Sequence, residues 1–240
     1  VPIKPYYEKD GIVIYHGDCR EILPELPRDA SVLTDPPYNV GLAYCEGDKR
    51  KDYSEWCRTW FELCPRPIVF SPGTVNLSMW LAIELPTWVC AWFKPNQCSP
   101  SSIGGFNVWE PILVYGKPKQ RVGHDAWQDY ISTAQRTGAG AGAGAGPIPH
   151  PCPKDLPSWE RIMLRFFTEQ ELIIDPFLGS GTTLMAAKRH GRKAIGIEKE
   201  EQFCELSALR LSQEIMDFGP IDPPKPKDIP LDFESLSPIE

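Results

Sequence analysis

Residues 171–190 constrain the fold most. ELIID (171–175) is a short β-branched run that ends on an acid. A turn with two glycines follows, and a helical pattern opens at once over 182–190. A strand that feeds a glycine turn and then a helix is the first half of a β–α–β unit, which needs a parallel partner strand. KAIGIE (193–198) supplies that partner, and a long closing helix is expected over 200–216. The same alternation runs through the rest of the chain. Strands are expected at GIVIY (11–15), SVLT (31–34), PIVFS (67–71), WVCAWF (88–93) and VWEPILVY (108–115), the last interrupted by Pro111. CREILPELP gives a short helical pattern stopped by proline. Helices are expected over 53–63, 76–85 and 155–168, where apolar residues recur three to four apart. Such alternation predicts an α/β fold: a mostly parallel sheet with helices on both faces.

Three segments carry chemistry. Asp175-Pro176-Phe177-Leu178-Gly179-Ser180-Gly181-Thr182-Thr183 joins a strand to a helix. Its glycines allow close backbone approach to a ligand, and the helix N-terminus offers free N–H groups. The third glycine or alanine of a dinucleotide site is replaced by Leu184, and the Gly-Lys-Ser/Thr of a phosphate loop is missing. The loop therefore points to a nucleoside cofactor without a pyrophosphate. Glu198 ends the next strand, 19 residues after Gly179, where an acid can accept both ribose hydroxyls.

The third segment is Thr34-Asp35-Pro36-Pro37-Tyr38-Asn39, directly after SVLT. It holds a carboxylate, a tertiary-amide carbonyl and an aromatic face on a turn stiffened by two prolines. An exocyclic amine could donate to Asp35 and to the Pro36 carbonyl while its ring stacks on Tyr38. A second Asp-Pro-Pro, at 222–224, follows no strand and lacks the tyrosine. It reads as linker.

Together these segments resemble the amino-methyltransferases that use S-adenosylmethionine to methylate exocyclic amines of DNA bases. The motif order, with D-P-P-Y before D-P-F-x-G-S-G-T-T, is similar to that of their permuted group. The resemblance runs from about Tyr6 to Leu211 and implies a circularly permuted, Rossmann-like methyltransferase fold. Supporting matches are Gly17-Asp18, Trp109-Glu110-Pro111-Ile112-Leu113 and His150-Pro151-Cys152-Pro153-Lys154. It implies catalysis by Asp35, Pro36, Pro37 and Tyr38. It implies cofactor binding by Asp175, Phe177, Gly179, Ser180, Gly181, Thr182 and Glu198, with Asp18 near the adenine and His150 and Lys154 closing the pocket. In the last segment a proline precedes the lysine and an aspartate follows it, a departure from the usual pattern. An aspartate-first motif implies adenine N6 more than cytosine N4. The expected reaction is in-line transfer to a base flipped out of duplex DNA, with no metal. An RNA or cytosine-N4 enzyme, a silent cofactor-binding subunit and a nicotinamide-dependent Rossmann enzyme are the competing readings.

Net charge is −7, which disfavours broad electrostatic binding to DNA. Lys49, Arg50, Lys51, Lys117, Lys119 and Arg121 are the local candidates for phosphate contact. Eight cysteines without a C-x-x-C pair suggest reduced thiols in a cytoplasmic protein. No apolar run approaches a membrane span, and no leader pattern opens the chain. The expected organisation is a catalytic domain over 1–216 and an acidic, proline-rich tail over 217–240. A short variable segment at 116–149 contains the TGAGAGAGAG run. Homodimerisation is compatible with this plan.

Overall fold

The computed structural model describes residues 3–41, 49–94, 99–100, 105–119, 130–132 and 154–213. Its main sheet is built from β1 (Tyr7–Lys9), β2 (Ile12–His16), β3 (Ser31–Thr34), β4 (Ile68–Phe70), β5 (Trp88–Phe93), β8 (Trp109–Tyr115), β9 (Tyr130–Ser132), β10 (Ile173–Asp175) and β11 (Ala194–Glu198). Ser99–Pro100 (β6) and Phe106–Asn107 (β7) form a separate ribbon. The helices are α1 (Cys19–Ile22), α2 (Tyr53–Phe61), α3 (Leu77–Ile83), α4 (Leu156–Phe166), α5 (Thr182–Arg189) and α6 (Glu201–Ser212).

The strand order is β1-β2-β11-β10-β3-β4-β8-β5-β9. Its centre, from β2 to β4, is parallel throughout. β8 runs antiparallel between β4 and β5. Strand side chains alternate between two cores, as the pleat requires. Leu33, Val69 and Ile173 face the core closed by Trp159 and Phe166 of α4, Leu184 of α5 and Leu211 of α6. Val32, Ile68, Phe70 and Ile174 face the opposite core, closed by α1, α2 and α3. That second core is aromatic. Phe70 and Trp80 have ring centroids 4.6 Å apart, and Phe61 and Tyr115 are 4.8 Å apart, both edge-on. Buried rings of this size each contribute about 3–5 kcal/mol when truncation is the measure.

Two expectations change. Pro111 does not interrupt its strand: β8 is continuous, with Pro111 opposite Ala91 of β5. β4 pairs with β8 only as far as Leu113, so Pro111 lies beyond β4 and its missing N–H need not cost a ladder bond. β1, an antiparallel edge strand, has too few apolar residues to be read in advance. Of the expected 200–216 helix, Glu201–Ser212 is helical in the structure. The tail and the Ala-Gly run lie outside the described residues.

The topology creates one crevice. From β10 the chain crosses to β11 through α5, on one face. From β3 it crosses to β4 through α2, on the other face. β10 and β3 are parallel neighbours whose crossovers depart in opposite directions, and ligands of open α/β sheets bind at such a point, outside the strands' carboxyl ends.

Candidate active site

Asp35-Pro36-Pro37-Tyr38 leaves the carboxyl end of β3 at this crevice. The prolines remove two backbone donors, so the turn is pinned through carbonyls. Tyr53 Oη of α2 donates to the Pro37 carbonyl at 2.5 Å, and Asn76 Nδ2 donates to the Tyr38 carbonyl at 2.9 Å. Gly73 has φ 67°, and a Cβ there would come within 2.9 Å of the Tyr38 ring. Glycine is therefore required for the ring to lie where it does.

A half-buried polar network surrounds Asp35. Tyr38 Oη donates to Asp35 Oδ1 at 2.7 Å, and the Lys154 ammonium lies 3.0 Å from Asp35 Oδ2. Lys154 also donates to Tyr38 Oη at 2.9 Å. Ser71 donates to Glu110 Oε2 at 3.1 Å and accepts from Tyr38 Oη at 3.3 Å. Glu110 pairs with Lys94 at 2.6 Å and stands 3.7 Å from Lys154. Lys94 sits over the Trp92 ring, 3.8 Å from its centroid. Two carboxylates and two ammonium groups thus share one pocket.

Burial pushes the Asp35 carboxyl up, against the pull of Lys154. Burial and the Asp35 charge raise the Tyr38 phenol well above its usual range. Burial also opposes charge on Glu110, but Lys154 and Lys94 outweigh it and bring that carboxyl down to about 2. Burial works against the Lys154 proton too; Asp35, Tyr38 and Glu110 overcome it and hold the ammonium well above the ordinary lysine value.

The glycine loop leaves β10 one strand away. Asp175 is held by Thr34 Oγ1 at 2.6 Å, Thr183 Oγ1 at 2.5 Å and the Phe177 N–H at 3.1 Å. Trp159 Nε1 in turn donates to Thr183 at 2.8 Å. Asp175 thus ties the end of β3 to the start of α5. Its partners are neutral, and burial raises its carboxyl to about 6. Gly181 has φ 81°, and a Cβ would lie 2.8 Å from Ser207 Oγ. Ser207 Oγ donates to the Gly179 carbonyl at 2.9 Å, and Arg210 donates to the Ser180 carbonyl. Phe177 packs edge-on to Trp60 and tilted against Trp56.

Glu198 ends β11 and accepts the Gly179 N–H at 2.8 Å and the Glu200 N–H at 2.9 Å. Burial raises its carboxyl. Asp18 lies two residues past His16, which pairs with Glu198 across β2 and β11. It caps α1 and pairs with Arg20 at 2.6 Å, and that guanidinium holds its carboxyl below the usual range. Two carboxylates at adjacent strand ends, beside a glycine loop and the first turn of α5, fit a nucleoside carrying ribose hydroxyls and an amino-acid tail.

The structure brings Asp18, Asp35, Tyr38, Asp175, Glu198 and the glycine loop to one sheet edge. It puts the Lys154 ammonium on the Asp35–Tyr38 turn, whereas the resemblance assigned Lys154 to closing the cofactor pocket. Lys49, Arg50 and Lys51 border the same turn, because Asn39 bonds the Arg50 main chain at 2.6 and 3.1 Å. The Arg50 guanidinium is engaged with Asp52 and lies over Trp56. Lys117 and Lys119 are at the opposite edge: β8 runs antiparallel, so its carboxyl end points away from Asp35, and Lys119 donates to the Asp29 carbonyl at 3.2 Å. His150 and Arg121 lie outside the described residues. Sequence reasoning assigned nothing to Ser71 or Lys94 and no role to Glu110. The available signal was an acid opening an otherwise apolar strand, EPILVY.

Fold and crevice define a Rossmann-like α/β protein of the methyltransferase class. The chain belongs to the N6/N4 DNA methylase family, whose model, described as DNA methylase, matches residues 86–209. Members use S-adenosylmethionine as methyl donor. The type II methyltransferase M.ScaI of Streptomyces caespitosus is 27% identical over 88% of this chain and 84% of its own length. M2.DpnII of Streptococcus pneumoniae is 28% identical over 88% and 93%. Among solved structures, the PvuII cytosine-N4-specific DNA methyltransferase superposes with TM-score 0.69 at 20% identity, over 88% of this chain and 90% of its own. The M1.HpyAVI–SAM complex superposes with TM-score 0.60 at 23% identity, over 83% and 99%. Among the described residues no helix is long and apolar enough to cross a membrane.

Proposed function

We propose that this chain methylates N6 of adenine in DNA, by direct transfer to a base flipped into the crevice between β3 and β10. The observation that carries this reading is the hydrogen bond from Thr34 to Asp175. It couples the residue before Asp35 to the acid that opens the glycine loop, so acceptor and donor sites are fixed relative to each other. Such fixation lowers the cost of bringing two reactants together.

Glu198 and Asp18 would hold the nucleoside of S-adenosylmethionine, and the loop from Phe177 to Thr182 its amino-acid portion. When bound, that cofactor supplies an electrophilic methyl group. The target amine is a poor nucleophile, because its lone pair is delocalised into the ring. Asp35 and the Pro36 carbonyl accept its hydrogens, orient the lone pair and stabilise the positive charge that grows on nitrogen. Tyr38 offers a face for the flipped base. After transfer the surplus proton leaves toward Asp35, whose raised pKa suits a transient acceptor. Lys49 and Lys51, beside the turn, would meet backbone phosphates.

The aspartate at the head of the motif favours adenine. Cytosine N4 is the second reading, since its amine presents the same two hydrogens. Transfer of labelled methyl to unmethylated duplex DNA, followed by nucleoside mass spectrometry, separates them. N6-methyladenine is expected; N4-methylcytosine would overturn the base assignment.

A further inference from the structure

Asp35 is already occupied by a cation. Lys154 takes Oδ2 and Tyr38 takes Oδ1, leaving the amine of an incoming base to compete for the same carboxylate. The competition sharpens as reaction proceeds. Methyl transfer builds positive charge on the target nitrogen, and an ammonium held on the same half-buried carboxylate would repel it.

A second anchor is within reach. Glu110 Oε2 stands 3.7 Å from the Lys154 ammonium, so a shift of about an ångström turns that approach into a direct hydrogen bond. Glu110 is equipped to receive it. Lys94 saturates Oε1 at 2.6 Å and is itself held on the Trp92 ring. Ser71 links the same Oε2 to Tyr38, so the receiving oxygen stays in register with the catalytic turn. Glu110 is strongly ionised, as its depressed pKa records. The paired strands position both residues: Glu110 lies on β8 opposite Trp92, and Lys94 directly follows β5, its N–H donating to the Val108 carbonyl at 2.7 Å.

We propose that Glu110, fixed by Lys94, is a positioning residue that takes over the Lys154 ammonium when the target amine takes its place on Asp35. This rests on Asp35 being the carboxylate that binds the amine. In the ligand-free protein Lys154 neutralises Asp35; during turnover it neutralises Glu110. The pocket's charge stays balanced in both arrangements.

A double-mutant cycle tests this on the full chain, with labelled S-adenosylmethionine and unmethylated bacterial genomic DNA. Glu110→Gln should lower kcat roughly 10- to 100-fold, the scale of a misplaced group at a reacting centre, while cofactor affinity by calorimetry is unchanged. Lys154→Gln removes the ammonium from Asp35 and supplies the second background, its own rate of transfer serving as the reference there. In that background Glu110→Gln should cost less than about threefold, since no ammonium remains to be moved. A merely structural Glu110 would give the same loss in both backgrounds, and that result overturns the proposal. So does an unchanged kcat in Glu110→Gln. If Glu110→Gln does not fold, Glu110→Asp keeps the charge but withdraws it from Lys154, and a kcat equal to wild type would again overturn the idea. Full activity in Asp35→Asn would instead sink the parent reading of Asp35.

Discussion

Asp175 is a buried carboxylate and Asp35 a half-buried one at the ends of neighbouring parallel strands, and they are held in opposite ways. Asp175 is bound by two hydroxyls and one N–H, all neutral. Asp35 is bound by a phenol and an ammonium. Neutral donors on three separate segments fix a geometry and cannot be exchanged without dismantling it. A single long side chain from another part of the chain can leave and return. The first arrangement suits a fixed joint between β3 and α5, the second the proposed role of accepting a substrate amine.

The largest expected contrast is in stability against pH. The folded protein raises Asp175 from an ordinary 3.8 to about 6, so folding favours its neutral form. That contribution is fully present below about pH 4 and is lost as pH rises through about 6; a shift of this size corresponds to about 3 kcal/mol. Denaturant unfolding at a series of pH values should show this slope in the wild type and a flatter one in Asp175→Asn. An identical slope in both would place the titration elsewhere. A smaller effect is expected at the other carboxylate. Asp35→Asn should change unfolding free energy at pH 7 by no more than about 1 kcal/mol, because Lys154 keeps Glu110 as a partner. A loss of 3 kcal/mol or more would mean that Asp35 is as structural as Asp175.

Much of this was legible in the sequence, for local reasons. The parallel strands β3, β10 and β11 are short β-branched runs with clear ends, and each delivers its acid directly at its carboxyl terminus. Asp35, Asp175 and Glu198 therefore come to one sheet edge as soon as the strands are parallel. The rest depended on pairing across long separations. Glu110 and Lys94 meet Lys154 only because β8 reverses direction and lies beside β5. The same reversal carries Lys117 and Lys119 away from the site. Strand direction at β8 is set by tertiary packing, and no local pattern in VWEPILVY records it. Pro111 misled for a related reason: its cost depends on whether a neighbour strand reaches it, and β4 does not.

The central claim is that one crevice keeps donor binding and amine activation on separate, adjacent strand ends. The most direct test measures cofactor affinity by calorimetry and methyl transfer to DNA on the same preparations of wild type and Asp35→Asn. The account predicts equal affinity for S-adenosylmethionine, with transfer falling by about 10²–10⁴-fold in the variant. Transfer surviving in Asp35→Asn, or cofactor affinity collapsing with it, would contradict the account.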